Sequence, residues 1–343
     1  MNHSESTHGI APPALNPGDT IGFFSPSSPA THFAPKRTER ACNYLKEKGF
    51  NLRPGTLTGA HDHYRSGSIL ARAEELNALI RDPDVRCILS TIGGTNSNAI
   101  LPHIDYDALQ RDPKIFCGYS DVTAIHCAIQ RKCNLITFYG PALTASLGEL
   151  EPIVSQTWSA FTDLVLTPHH TTPYTLENFA TWTEERLDWE TQDRPKKMRD
   201  NALLTLTGGQ HTGRLVGGNL NTMSGLWGTP YAPDIQPGDI LLIEDSLKDA
   251  ATMERLFARL HNSGILHDIG GLILGKHELF DDCDTQRRPH EILLEVVGGD
   301  LPCPTLAEYD CAHTHPMLTL PLNAIITLDA TAQRVTIMHD CVQ

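Results

Sequence analysis

Short apolar runs alternate with stretches of helical period along the first half of the chain. Thr20-Ile-Gly-Phe-Phe-Ser25 reads as a buried strand, followed by the turn Pro26-Ser-Ser-Pro29. A helix is predicted over 35–48, stopping at Gly49. Ser68 is placed to cap the next helix, whose apolar positions Ile69, Leu70, Ala73, Leu76, Leu79 and Ile80 recur at three- and four-residue steps until Pro83 closes it. Strands are predicted over 86–92 and 115–119, each ending in a Gly- or Ser-bearing turn, then a helix over 121–131 and a strand over 135–139. Apolar strands alternating with helices predict an α/β fold with a parallel sheet covered on both faces. Sites in such sheets lie at the carboxyl ends of the strands, which directs attention to the turns after Ile92 and Tyr119.

From Pro168 to Asn201 the texture changes to Thr, Glu, Trp, Asp, Arg and Lys with poor apolar period. It reads as a long connection, and loops of that length are functional or disordered. Regular pattern resumes with Gly213-Arg-Leu-Val-Gly-Gly-Asn219, strands over 239–244 and 270–275, helices over 249–262 and 289–297, and a closing strand pair over 322–328 and 334–339. The expected division is an N-terminal domain over 1–167, a connection and lid over 168–205, and a C-terminal domain over 206–343.

Composition narrows the function classes. The 343 residues carry 41 acidic and 27 basic side chains, a net charge of −14, which disfavours binding a nucleic acid polymer. Apolar runs such as Asp239-Ile-Leu-Leu-Ile-Glu244 are too short to cross a bilayer, and the N-terminus lacks a signal-peptide pattern. Nine cysteines without a CxxC read as reduced thiols, so a cytoplasmic location is expected.

Several segments could carry chemistry. Gly118-Tyr-Ser-Asp121 sits between an apolar strand and an amphipathic helix, where a serine projects its hydroxyl beyond the sheet edge. Val122 replaces the second glycine of a G-x-S-x-G elbow, so by pattern alone Ser120 is either a nucleophile or a helix cap. Thr91-Ile-Gly-Gly-Thr-Asn-Ser97 lacks the ending of a phosphate loop; it is either an ordinary turn or a source of oxyanion-binding amides. Glu244 ends a buried strand, either as a structural group or as a partner for a histidine. Lys248 either meets an anionic ligand or is solvated. His313 and His315 share a face if extended, as a metal pair with Asp310 or Glu308, or with one histidine as a base for Ser120. His61 and His63 lack a third metal ligand, and Asp281, Asp282 and Asp284 fail the calcium-loop pattern. No metal or cofactor is expected.

Taken in order, these segments resemble the LD-carboxypeptidase family of serine peptidases, in its microcin C immunity branch. The resemblance runs from Pro17-Gly-Asp-Thr-Ile-Gly-Phe-Phe-Ser-Pro-Ser27 through Gly93-Gly94, Gly118-Tyr-Ser-Asp-Val-Thr123, Thr137-Phe-Tyr-Gly-Pro141 and Gly217-Gly-Asn-Leu220. It continues through Leu242-Ile-Glu-Asp-Ser246 and Gly275 to Ala312-His-Thr-His-Pro-Met-Leu-Thr-Leu-Pro321. It implies a flavodoxin- or Rossmann-like N-terminal domain, a smaller C-terminal α/β domain and an active site in the cleft between them. The nucleophile falls on Ser120, the carboxylate on Glu244 and the base on His313, with Ala312 in place of the family's usual glycine and His315 non-catalytic.

The resemblance also implies substrate contacts. Amides of Gly94 and Asp121 would bind the oxyanion, and Thr95, Asn219 and Lys248 would contact substrate. A tryptophan of the long loop would stack on an aromatic base; Trp189 matches it, with Trp182 in reserve. The implied activity is amide hydrolysis of an aminoacyl-nucleotide such as processed microcin C, or else release of D-alanine from a murein tetrapeptide. A non-catalytic ligand-binding protein is the remaining alternative. A homodimer is expected, with a small peptide or aminoacyl-nucleotide as partner and no membrane.

Overall fold

Strand β1 (Thr20–Phe24) lies one place in from the edge of a parallel sheet with β2 (Asn51–Pro54), β3 (Val85–Ser90), β4 (Ile115–Gly118) and β5 (Thr137–Tyr139). The computed structural model describes residues 8–166, 172–311 and 313–343. The order β2-β1-β3-β4-β5 is that of a flavodoxin-like doubly wound sheet. Leu89 is in register with Cys117 and Gly118 with Tyr139, so the chain leaves β3, β4 and β5 side by side at one edge. The two turns singled out from the sequence therefore emerge as neighbours.

The second sheet is mixed. Its strands are β6 (Tyr174–Thr175), β9 (Leu204–Thr207), β10 (Gln210–Asn219), β11 (Ile240–Glu244), β12 (Gly271–Gly275), β13 (Thr305–Tyr309), β15 (Ile325–Asp329) and β16 (Arg334–Ile337). They lie in the order β6-β16-β15-β10-β11-β12-β13-β9, and β10 to β13 run parallel. A separate ribbon pairs β7 (Thr181–Trp182) with β8 (Arg199–Asp200), and β14 (Leu320–Leu322) pairs antiparallel with β5.

These pairings cross the division expected from the sequence. The C-terminal stretch sends β14 back to the first sheet, where it covers the otherwise unpaired edge of β5. The stretch read as a bare connection supplies β6 to the second sheet as well as the β7–β8 ribbon. Strands of two residues leave almost no periodicity to read, and their pairing is long-range. The boundary expected at 167–168 touches positions outside the described residues.

Local expectations elsewhere have visible causes. The Ser68 hydroxyl accepts from the Ala71 amide at 3.2 Å and opens the helix Ile69–Arg81. The helix expected over 121–131 is split into a 3₁₀ turn, Ser120–Val122, and an α-helix, Thr123–Cys133. Strand alternation feeds two buried apolar layers: Ile21, Phe23, Cys87 and Leu89 face one side, Phe24 and Ile88 the other. The same layers continue into the second sheet, with Ile240 and Leu242 in the first layer and Leu241 and Ile243 in the second. All nine cysteines are free thiols. Among the described residues no helix is long and apolar enough to cross a membrane.

Candidate active site

Ser120 follows β4 with φ +63°, a left-handed conformation that is unfavourable for a residue with a Cβ. This kink turns the strand sharply into the following helix and presents the hydroxyl at the sheet edge. Two other contacts hold it. The Ser120 amide donates to the Tyr139 hydroxyl at 3.0 Å, and Gly93 packs against its side chain. A Cβ added at Gly93 would come within 2.9 Å of the Ser120 Cβ and 3.0 Å of the Asp121 amide nitrogen, so only glycine fits there.

Glu244 ends β11 and is 1 % exposed. Its Oε2 lies 2.7 Å from His313 Nδ1, and His313 Nε2 lies 3.0 Å from Ser120 Oγ. An ionised carboxylate only accepts, so Nδ1 carries the proton and Nε2 is left to accept from the serine hydroxyl. The other Glu244 oxygen accepts from the Tyr139 hydroxyl at 2.6 Å and from Asn219 Nδ2 at 3.0 Å. Burial pushes the Glu244 carboxyl up, but the His313 imidazole and the three hydrogen bonds outweigh it and hold the group below the ordinary range. For His313, burial disfavours the charged ring, yet Glu244, assisted by Glu278 and Asp245, raises it above the usual imidazole value. Such a chain can draw a proton from the hydroxyl and stabilise the imidazolium that results.

The glycine turn after β3 is clamped from below. Asp121 is 4 % exposed. Its Oδ2 accepts from the Asn96 amide at 2.9 Å, the Ser97 amide at 2.8 Å and the Ser97 hydroxyl at 2.7 Å. The Ser27 hydroxyl accepts from the amides of Thr95 and Asn96 at 3.0 and 3.1 Å. Gly94, at φ +147°, lies so close to Ser27 that a Cβ would meet its Oγ at 2.2 Å. Gly94 and Asp121 therefore border Ser120 on a fixed framework.

Above this floor is a cavity of about 710 Å³. Ser120, His313, Gly94, Thr95, Asp121, Asn219, Lys248 and Trp189 all line it. Asn219 lines the cavity while its side chain also makes hydrogen bonds within the protein. Nδ2 reaches Glu244, while Oδ1 caps the next helix by accepting from the Thr222 amide at 2.9 Å. Lys248 Nζ lies 3.1 Å from the Ser246 carbonyl and 3.4 Å from Asp245.

The tryptophans separate clearly. Trp189 is a cavity wall residue with the Arg37 guanidinium 4.5 Å from its ring. Trp182 lies away from the lining, between Arg199 and Lys276, at 3.8 and 5.3 Å from its ring. The segment carrying Trp189 is docked: Glu190 accepts from the Lys36 amide at 3.0 Å, and Gln192 from Arg37 at 2.7 Å.

Other candidates fall into structural roles. Asp310 is buried and paired with Lys276 at 2.6 Å. Among the described residues no group of three or more His, Cys, Asp or Glu could hold a metal ion. Ala312, at the family's usual glycine position, lies outside the described residues. Sequence reading missed the part of Tyr139, which reads there only as an apolar strand residue. It also missed the Asp121 carboxylate, for which only the amide was considered, and Asn221, which lines the cavity two positions after Asn219.

Comparison with known proteins identifies the family. Residues 21–140 match the LD-carboxypeptidase N-terminal domain and residues 212–328 the LD-carboxypeptidase C-terminal domain. A putative carboxypeptidase of Vibrio cholerae is 54% identical over 92% of this chain and 94% of its own. A probable murein peptide carboxypeptidase of Bacillus subtilis is 30% identical over 96% of this chain and 94% of its own. The microcin C7 self-immunity protein MccF of Escherichia coli is 47% identical over 96% of both chains. MccF solved with aspartyl sulfamoyl adenosine superposes with a TM-score of 0.94, at 46% identity, over 97% of this chain and 100% of that one. MccF has also been solved with glutamyl sulfamoyl guanosine and, as a tryptophan-to-phenylalanine mutant, with adenosine monophosphate. The chain belongs to the LD-carboxypeptidase family, the S66 peptidases.

Proposed function

We propose that this protein is a serine carboxypeptidase or amidase that hydrolyses the amide of aminoacyl-nucleotides such as processed microcin C, giving immunity or detoxification. The observation that carries the reading is the Ser120–His313–Glu244 hydrogen-bond chain on the floor of a cavity that also has Trp189 in its wall. Ser120 Oγ attacks the carbonyl carbon while His313 Nε2 takes its proton. Glu244 holds the imidazole tautomer and offsets the positive charge. Amides of Gly94 and Asp121 donate to the tetrahedral oxyanion, each worth about 3 kcal/mol. As the tetrahedral species collapses, the carbon–nitrogen bond breaks and His313 returns its proton to the leaving nitrogen. Water, activated by the same histidine, then releases the acyl group from Ser120. The 168–205 segment acts as the substrate lid, and Trp189 stacks on the base.

The murein reading rests on the Bacillus subtilis relative. Product analysis by mass spectrometry decides between them, using aspartyl sulfamoyl adenosine beside a murein tetrapeptide. The expected products are free aspartate and sulfamoyl adenosine, with turnover lowered on the order of 10³–10⁶-fold by Ser120→Ala or His313→Ala. Release of D-alanine with no cleavage of the nucleotide would replace this reading with cell-wall recycling. Failure of a serine-reactive phosphonate to label Ser120, with neither substrate turned over, would leave only a binding protein.

A further inference from the structure

One wall of the cavity rests on a buried charge cluster that the hydrolytic steps do not use. Glu149, 2 % exposed, is held by Arg37 and by Lys196, whose Nζ is 2.7 Å from Oε1. Each nitrogen of the Arg37 guanidinium is engaged: Nε on the Thr144 carbonyl at 2.9 Å, Nη1 on Gln192 at 2.7 Å, Nη2 on the Ala145 carbonyl at 2.8 Å and on Glu149. Lys196 differs. It is 8 % exposed, lines the cavity, and its ion pair uses one of the three donors of an ammonium.

Two cations against one carboxylate leave this buried group with an excess positive charge. The nearby Glu278 does not settle it, because Arg186 lies 3.4 Å from that carboxylate. A buried charge in excess favours an anion placed against it.

His315 completes the wall. It is 6 % exposed, and its Nε2 is 3.9 Å from Glu149, too far for a hydrogen bond. Its Nδ1 is buried with no partner among the described residues. Burial, with Lys196 beside it, lowers the imidazole to about 3, so the ring is neutral and can offer an N–H without adding charge. The Nδ1 atom is enclosed by the protein, while the ring as a whole forms part of the cavity lining.

We propose that Lys196 and His315 form an anion subsite of the cavity, which takes an anionic oxygen of the substrate. That oxygen comes from the side-chain carboxylate of an acidic aminoacyl group or from the phosphoryl or sulfamoyl bridge. The proposal rests on the aminoacyl-nucleotide reading above. Glu149, itself fixed by Arg37, holds the ammonium in place before substrate arrives, so the charge-assisted hydrogen bond forms with little loss of side-chain freedom. Lys196 lies in the same segment as Trp189, so one loop contributes both the stacking ring and the cation.

The test is calorimetric binding of aspartyl sulfamoyl adenosine, alanyl sulfamoyl adenosine and AMP to full-length protein carrying Ser120→Ala. Lys196→Gln leaves Arg37 and Glu149 as a balanced pair, so the fold is expected to survive. It is expected to weaken the aspartyl compound about 10–100-fold, and Lys196→Arg to restore most of that loss. An unchanged alanyl compound assigns the subsite to the acyl carboxylate; equal weakening of all three ligands assigns it to the bridging anion. His315→Leu provides a second arm, with a smaller loss on the same ligands. Binding indifferent to both changes overturns the subsite alone. No binding of any of the three by the Ser120→Ala protein overturns the nucleotide reading and the subsite with it.

Discussion

The Tyr139 hydroxyl joins Ser120 to Glu244, accepting from the Ser120 amide at 3.0 Å and donating to Glu244 Oε1 at 2.6 Å. A strand residue of the first sheet thus fixes both the strained serine turn and the carboxylate that the second sheet supplies. Tyr139→Phe keeps the ring but removes both bonds, leaving a buried amide and a buried carboxylate oxygen short of partners. Each such loss costs on the order of 1–3 kcal/mol. The expected outcome is kcat lowered about 10–100-fold with KM little changed and a modest fall in Tm. Steady-state kinetics and thermal unfolding on the same preparation check it. Tyr139 is a positioning residue, so its loss is also expected to shift the pH profile through Glu244.

The pH dependence has a definite sign. General-base action needs neutral His313, and Glu244 holds that imidazole above its usual value. Activity therefore falls as pH drops through this raised value, and the acid limb of kcat/KM lies on the alkaline side of an ordinary histidine. Glu244→Gln removes the charge that opposes burial. The limb is then expected to move to lower pH, while the maximal rate falls on the order of 10⁴-fold. A limb that stays put would separate His313 from the profile.

Asp121 offers a contrast between two substitutions. All three bonds to the glycine turn go to one oxygen, which an asparagine can still present. Asp121→Asn is expected to retain most stability and activity. Asp121→Ala strands the Ser97 amide and hydroxyl and leaves the Asn96 amide only its bond to the Ser27 hydroxyl, with a stability loss on the order of 3 kcal/mol and a released turn beside Ser120. Urea unfolding of the two variants, alongside kcat, measures the difference.

Trp189 and Trp182 differ in the same testable way. Trp189→Ala is expected to raise KM for a nucleotide substrate about 10-fold or more, since base–aromatic stacking is worth about 1–3 kcal/mol. Trp182→Ala, away from the cavity lining, is expected to leave KM near its starting value and to lower Tm, because it removes a ring packed between two cations. Equal KM effects on both would count against stacking.

Metal removal is the cheapest discriminator. A hydroxyl activated by imidazole and carboxylate needs no ion, so EDTA at millimolar concentration is expected to leave turnover unchanged. A metal hydrolase would lose it.

Local pattern by itself determined the alternating strands and helices, the parallel first sheet, the Ser68 cap and the two loops that flank Ser120. These depend on periodicity and on turn residues a few positions apart, which one chain segment carries alone. The order of motifs also brought Ser120, Glu244 and His313 forward as a triad expected to meet in the cleft between the domains, although no local pattern carries their distances. Only the tertiary structure decided that Glu244 and His313 meet Ser120, that Asn219 turns inward to Glu244, and that Trp189 rather than Trp182 lines the cavity. It also decided that Leu320–Leu322 returns to the first sheet. Each of these is a contact between residues far apart in sequence, fixed by which edges and faces remain unpaired once the local elements have formed.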